Sequence, residues 1–278
     1  MSGKGIRAIC KNEFLTNISR KNSLQNWVDI EEEYYHELLK HLDSNPDTKE
    51  MSIYEIQYGI KYGIKELNKD FSEIKILLEN YLSTKVSLPA EGLQKIRDNI
   101  YDNGDSNPDG TENILVLNFN YTKTENLYID EKRVKPEIIH IHGELKSKES
   151  PIIFGYGDET GETYKVIENL NDKEFLKYMK SMEYPMAPNY KDLLAFIESE
   201  TYEIFVMGHS CGLSDRVLLK TLFEHKNCHS IKCFYHQPTG SDGREDFGKL
   251  VRNISRHFDD KALFRKRIVN FKDTTSLT

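Results

Sequence analysis

The first hundred residues place apolar side chains at three- and four-residue intervals, which is the spacing of an amphipathic helix. The pattern is clearest over residues 28–42 (VDIEEEYYHELLKHL) and 68–82 (NKDFSEIKILLENYL), and no strand pattern is clear before residue 110. A polar, turn-rich segment, residues 101–110 (YDNGDSNPDG), then interrupts the chain. We therefore predict a mostly helical region over residues 1–110.

From residue 111 onward the chain carries short apolar runs, as buried parallel strands do. Helical segments of about ten residues alternate with these runs, which favours a parallel sheet covered by helices on both faces. The predicted fold class is α/β, with a Rossmann-like parallel sheet flanked by helices over residues 111–278 and the helical region 1–110 as a cap. The predicted strands are residues 113–119, 137–143, 151–157, 203–208, 230–236 and 266–271, and the predicted helices after the first region are residues 190–199, 215–225 and 245–257.

Composition narrows the class of protein. The chain has 278 residues, of which 38% are hydrophobic and 30% charged, and this fits a globular protein of one or two domains. We expect a cytoplasmic protein with four reduced cysteines, because no apolar run suits a membrane span or a signal peptide. The net charge of −7 argues against nucleic acid as a partner, although residues 251–278 carry seven Lys and Arg against three Asp and Glu.

Three of the predicted strands end in small and polar residues. These ends are residues 118–122 (NFNYT), 140–143 (HIHG) and 208–212 (GHSCG). Ligands of open α/β sheets bind beyond the carboxyl ends of the strands, so side chains placed there are candidates for chemistry. For any one segment a role in capping helices and closing turns is the simpler interpretation, and the three together favour a site.

Two histidines, His140 and His142, lie on one face of a predicted strand because side chains alternate along it. They are either hydrogen-bonded core residues or, for His142 beside Gly143, a general base or a ligand of a substrate hydroxyl. We predict no metal here, since His-x-His alone is a weak signal and no Asp or Glu lies close enough in sequence to complete a convincing ligand set. The histidines and cysteines of residues 225–236 resemble a zinc spacing, but a strand would spread them over both faces.

The segment 208–212 fits the Gly-x-Ser-x-Gly pattern of a nucleophile elbow, with Ser210 as the nucleophile. Asp242 and His257 would then have to supply the acid and the base within the short remainder of the chain. The alternative is a turn whose small residues and backbone N–H groups approach a phosphate or a ribose.

Taken in order, five segments resemble the AbiH family of bacteriophage abortive-infection proteins. The family is itself similar to sirtuin (SIR2-like) domains, which carry an asparagine, a His-Gly pair and a Gly-x-Ser turn at successive strand ends. The resemblance covers roughly residues 27–235. The five segments are Trp27–Glu31 (WVDIE), Leu117–Tyr128 (LNFNYTKTENLY), Ile139–Glu144 (IHIHGE), Ile152–Asp158 (IIFGYGD) and Val206–Phe223 (VMGHSCGLSDRVLLKTLF).

This resemblance implies a nucleotide pocket and NAD, as substrate or ligand, cleaved at the nicotinamide–ribose bond. Asn120 takes the place of the sirtuin asparagine and His142 that of the catalytic histidine, whereas Thr122 stands where sirtuin domains usually have aspartate. Hydrolysis of that bond passes through an oxocarbenium-like state and needs no metal. The residues expected to bind the nucleotide are Asn118, Thr122, Gly143, Gly208, His209, Ser210 and Asp215.

The opening of the chain, MSGKGIRAIC, departs from both families, which begin with a strand and a glycine-rich loop for the cofactor phosphates. Either the pocket is incomplete or another chain completes it, a second copy or a different partner. Three functions therefore stand side by side: an anti-phage protein that hydrolyses NAD, a serine hydrolase using Ser210, and a module that senses a nucleotide or binds a partner without turnover.

Overall fold

The computed structural model describes residues 13–25, 29–43, 53–87, 113–129 and 135–277. The predicted boundary near residue 110, Trp27 and Val28 of the WVDIE segment and the glycines of the opening lie outside these ranges, so those predictions are not tested.

The chain divides into two compact units. One consists of residues 1–75 and 162–178, and the other of residues 76–161 and 179–278. No helix in the described ranges is long and apolar enough to cross a bilayer.

Helices dominate the first described part of the chain, as the periodicity predicts. Asp29 caps one of them by accepting a hydrogen bond from the Glu32 amide at 3.0 Å, and carboxylates in that first turn complement the helix dipole. In the core of the first unit the rings of Tyr34 and Phe71 lie 4.1 Å apart, and the Tyr34 hydroxyl donates to Asn68 at 2.7 Å. The three helices are α1 Glu13–Gln25, α2 Ile30–Asp43 and α3 Ile53–Lys85.

Four strands form two small parallel sheets in the second unit. β1 pairs with β2 and places Asn118 directly opposite His140, while β3 pairs with β4. These strands are short and mix buried with partly exposed positions, and the ends of β1 and β2 at Asn118 and His140 are buried. The strands are β1 Leu115–Asn118, β2 Glu137–His140, β3 Tyr202–Met207 and β4 Cys228–Phe234.

Seven further α-helices are described after β2, and three of them were predicted from the sequence. The three helices predicted near residues 190–199, 215–225 and 245–257 are confirmed with ends shifted by one or two residues. The full set of seven is α4 Glu162–Asn169, α5 Lys173–Leu176, α6 Lys180–Glu183, α7 Asn189–Ser199, α8 Arg216–Glu224, α9 Arg244–Ser255 and α10 Lys261–Arg267.

One apolar cluster forms the core of the second unit. It draws on both sheets and on the helices that cover them, so the two strand pairs share a single interior. Fully or almost fully buried members include Ile139, Ile141, Leu218, Phe223, Ile231 and Ile254.

The single continuous sheet expected from the sequence is not formed by the described residues. In the segment 151–157 only Tyr156 makes a bridge, to Met179. The strand predicted over residues 266–271 is wrong in part, because its first two residues end α10 and only Ile268 bridges to Ile231. Apolar runs this short fit either element, and the basic residues of KALFRKR suit a helix C-terminus.

Candidate functional site

The three polar strand ends meet in the second unit. The Phe119 ring, after β1, lies with its centroid 4.0 Å from that of His209, after β3. The same ring meets His142, after β2, edge-on at 5.5 Å. The structure therefore brings side chains from all three segments together.

Asp215 is the centre of the cluster. Its Oδ1 atom lies 2.8 Å from Nζ of Lys180 and 3.0 Å from Nε2 of His142, and its Oδ2 atom lies 3.6 Å from Nε2 of His209. Lys180, His142 and Asp215 are all buried, with 1%, 5% and 6% of their surfaces exposed. A carboxylate removed from water in this way needs a compensating cation, and Lys180 supplies it.

Charge and burial set the protonation states. Burial lowers the pKa of His142, and the Lys180 charge lowers it further, against the opposing effect of Asp215. Burial alone would raise the pKa of Asp215, but Lys180 and His142 outweigh it and hold that pKa well below its ordinary range. The cluster therefore holds a neutral imidazole beside an ionised carboxylate at neutral pH.

Hydrogen-bond geometry fixes one tautomer. The His209 Nδ1 atom accepts from the Cys211 amide at 3.1 Å, so neutral His209 carries its proton on Nε2, the atom nearest Asp215. Nε2 of His142 is close to Asp215, but the oxygen lies off the axis of the ring N–H bond. Within the described residues this buried nitrogen has no aligned hydrogen-bond partner.

A second buried network holds the end of β1. Asn118 donates to Glu125 at 2.6 Å and accepts from the Asn120 amide at 2.7 Å. His140 places one ring nitrogen 3.2 Å from the other Glu125 oxygen and the other nitrogen 3.2 Å from the Asn120 carbonyl. Asn118 and His140 thus shape the loop through buried hydrogen bonds.

Asn120 and Thr122 lie on the loop that this network supports. The Asn120 side chain is exposed and donates to the Thr124 hydroxyl at 3.1 Å. Thr122 is half-buried, and its carbonyl accepts from Asn118 at 3.2 Å. Asn120 is thus open to solvent, whereas the described contact of Thr122 uses its backbone.

The two glycines predicted to bind the nucleotide, Gly143 and Gly208, have different surroundings. Gly143 has φ +77°, and a Cβ there would lie 2.2 Å from the Pro151 carbonyl oxygen. It is buried and allows two backbone segments to touch, which is a structural reason for glycine. Gly208 also has positive φ, at +72°, but is exposed, and a Cβ there would meet nothing within 4 Å.

The carbonyl groups of the turn 208–212 accept hydrogen bonds from α9 and from the residues just after it. Asn253 donates to the Ser210 carbonyl at 2.8 Å, and His257 Nε2 lies 2.9 Å from the Cys211 carbonyl. Cys211 itself has φ +52°, a conformation that non-glycine residues rarely adopt. Ser210 is exposed at the end of β3, so the turn presents small residues on a fixed backbone.

A Ser-His-Asp triad is not assembled. The positive φ of the nucleophile elbow belongs here to Cys211 and not to Ser210. Asp242 is exposed and paired with Arg244 at 3.1 Å, while Nδ1 of His257 is buried without a hydrogen-bond partner in the described chain. The triad geometry of the hydrolase alternative therefore fails at its acid–base contact.

The described ranges contain no group of three or more His, Cys, Asp or Glu side chains close enough to hold one ion. Cys228 and Cys233 of the 225–236 segment are buried in β4, while His229 and His236 are exposed. Cys228 and Cys233 are five residues apart, so alternation along β4 places them on opposite faces of the strand.

Lys180 and Glu125 are the functional candidates that sequence reasoning missed. Lysine is almost never fully buried, and nothing in the segment KYMKSMEY marks one lysine over its neighbours. Glu125 follows the NFNYT segment within the AbiH-like motif, so its place in that motif was the available signal.

A comparison with family models matches residues 6–237 to the family described as bacteriophage abortive infection AbiH. Comparisons with curated proteins and with solved structures find no match. The family match covers well over half of the chain and includes every residue of the cluster around Asp215. The chain belongs to the AbiH family of bacteriophage abortive-infection proteins.

Proposed function

We propose that this protein acts in abortive infection by hydrolysing NAD at the nicotinamide–ribose bond, in a sirtuin-like nucleotide site where β1, β2 and β3 end. Family membership supports the role in defence against phage. The observation that carries the chemistry is the contact between His142 and Asp215, 3.0 Å apart at the meeting point of the three strand ends.

The reaction consumes NAD and water and yields nicotinamide, ADP-ribose and a proton. In this proposal neutral His142 takes a proton from the attacking water or from a ribose hydroxyl, and ionised Asp215 stabilises the imidazolium that results. A base must be unprotonated at working pH, and the lowered pKa of His142 meets that requirement. Asn120, exposed on the adjacent loop, positions the water or the hydroxyl through its amide.

The turn 208–212 is the proposed contact for the phosphates and ribose of the nucleotide. Gly208 and Ser210 are exposed, and no Cβ at Gly208 obstructs a close approach to its backbone. Bonds from Asn253 and His257 to the carbonyl groups of the turn hold it in one conformation. A preformed turn of this kind lowers the entropic cost of binding, because the turn is already ordered.

Catalysis by His142 requires that substrate reach its buried ring. His142 is only 5% exposed, and the Phe119 ring lies against both His142 and His209. In this proposal, binding of the nucleotide displaces the Phe119 ring and brings Nδ1 of His142 into contact with the reacting group. Nδ1 is the nitrogen that takes up a proton when the Nε2 proton faces Asp215.

The burial of His142 favours a second candidate, a module that binds a nucleotide or a partner without turnover. A site that never opens to His142 would bind through the exposed turn alone. The two candidates differ in whether NAD is consumed during defence.

The test is a phage challenge with NAD measured in the infected cells. Cells carrying the wild-type protein should lose NAD and resist the phage, and His142→Asn should abolish both effects. His229→Asn, which alters an exposed histidine of β4, is the matched control and should behave as wild type. Resistance with undiminished NAD would instead support the non-catalytic module.

A further inference from the structure

Lys180 is a buried cation with a specific contact. Only 1% of its surface is exposed, and Nζ lies 2.8 Å from Oδ1 of Asp215. Lysine is rarely buried to this degree, since its ammonium group loses its hydration and has to be paired.

The backbone around Lys180 is built to place it. Its amide donates to the Tyr156 carbonyl at 2.9 Å, next to the bridge between Tyr156 and Met179. A Cβ at Gly157 would lie 2.7 Å from the Ser214 carbonyl oxygen and 3.5 Å from Cδ of Lys180. Glycine at 157 therefore lets this backbone approach the Ser214 carbonyl next to Asp215, and the stem of Lys180 packs at ordinary contact distance beside it.

Lys180 and His142 share one oxygen atom. Oδ1 of Asp215 lies within 3.0 Å of both Nζ of Lys180 and Nε2 of His142. Protonation of His142 would thus place a second positive charge beside Oδ1 of Asp215, close to the ammonium group of Lys180. Among the described residues, the ionisable groups that act on His142 are Lys180, Asp215 and His209, and the Tyr121 ring lies with its centroid 6.4 Å from that of His142.

We infer that Lys180 is a positioning residue of this site: its charge keeps Asp215 ionised and His142 neutral, so that the imidazole is available as a base. The catalytic part of this inference rests on the proposed NAD hydrolysis, but the electrostatic part does not. Lys180 acts through Asp215 and His142 and needs no contact with substrate.

The test is NMR titration of the His142 imidazole in the full chain, with the signal assigned by its loss in His142→Asn. Lys180→Met removes the charge and keeps most of the stem, and Lys180→Arg restores the charge. Lys191→Met, at an exposed lysine of α7, is the control. We expect Lys180→Met to raise the His142 midpoint by about one pH unit, a tenfold increase in the protonated fraction. Lys180→Arg and the control should stay near wild type.

If Lys180→Met does not fold, Asp215→Asn and the Lys180→Met, Asp215→Asn double variant form the comparison pair, since the double variant has no uncompensated buried charge. The midpoint should then be higher in the double variant than in Asp215→Asn. An unchanged midpoint in a folded charge-removing variant overturns the inference.

Nicotinamide release by the same variants separates this inference from the proposed function. If the His142 midpoint shifts but NAD stays intact in every sample, the electrostatic inference is supported and the proposed NAD hydrolysis is contradicted. NAD cleavage by wild type, with no shift in Lys180→Met, removes the inference alone.

Discussion

Asn118 donates a 2.6 Å hydrogen bond to Glu125, a carboxylate seven residues later that is only 6% exposed. The other oxygen of Glu125 meets His140, the residue opposite Asn118 in the sheet register. This relationship closes the loop after β1 onto the end of β2, and so it sets where Asn120 sits relative to His142.

Glu125→Ala should destabilise the fold, because Asn118 and His140 would keep buried polar atoms without their partner. We expect a loss of about 1–3 kcal/mol in the free energy of unfolding. Urea denaturation followed by circular dichroism measures it, with Glu137→Ala at an exposed position of β2 as the control. Equal midpoints for the two variants would show that the network contributes nothing to stability.

Gly143 and Gly208 offer a matched pair, since both have positive φ and only one is crowded. Gly208→Ala pays backbone strain alone, about 1 kcal/mol. Gly143→Ala adds a methyl group 2.2 Å from the Pro151 carbonyl, and backbone has to move to accommodate it. Thermal unfolding should therefore show a much larger loss for Gly143→Ala. Similar losses for both variants would contradict the close backbone approach.

Protonation of His142 should couple folding to pH. Because burial lowers its pKa in the folded state below 6.5, the unfolded chain binds the proton more tightly. The contribution of His142 to stability is thus complete above pH 6.5 and is lost as pH falls below 6.5 toward the folded pKa. His41 and His257 are shifted in the same direction, so the share of His142 is a difference between variants.

Urea midpoints of wild type and His142→Asn, measured between pH 7.5 and pH 5, give that difference. Stability of the wild type should fall more steeply with acid than that of His142→Asn. His229→Asn is the control and should keep the wild-type slope. Parallel curves for wild type and His142→Asn would mean that His142 titrates alike in both states.

Ser210 should resist a fluorophosphonate probe. An activated serine needs a base within hydrogen-bond reach, and His257 is turned to the Cys211 carbonyl, with Asp242 paired to Arg244. Mass spectrometry after incubation should find Ser210 unmodified, with a known serine hydrolase as the positive control. Labelling that is lost in Ser210→Ala would restore the hydrolase alternative.

Local patterns predicted the helices and the turn after β3 better than they predicted the sheet. The periodicity of α2 and the Gly-His-Ser-Cys-Gly turn after β3 are local signals and appear where expected. Whether short apolar runs join into one sheet depends on partners distant in sequence, so residues 151–157 formed a bridge and not a strand.

The charge at the centre of the site could not be predicted for the same reason. Asp215 was among the expected nucleotide contacts because of its motif, but the structure buries it against Lys180, 35 residues away. Asn118 was also expected to bind the nucleotide, and in the structure its side-chain amide donates a hydrogen bond to Glu125. Burial and pairing with other residues determine the contacts of Asp215 and Asn118, and a single sequence segment does not reveal either.

The most direct measurement is chromatography of NAD after incubation with the purified full-length chain, with His142→Asn and Asn120→Ala beside it. His229→Asn and Asn126→Ala, both at exposed positions, are the matched controls. The account predicts that wild type and controls release nicotinamide and ADP-ribose in equal amounts, and that His142→Asn reduces the rate at least about 100-fold, as expected for loss of a general base. Release by His142→Asn at the wild-type rate, or intact NAD with a wild-type protein that binds it, would contradict the claim that this site hydrolyses NAD.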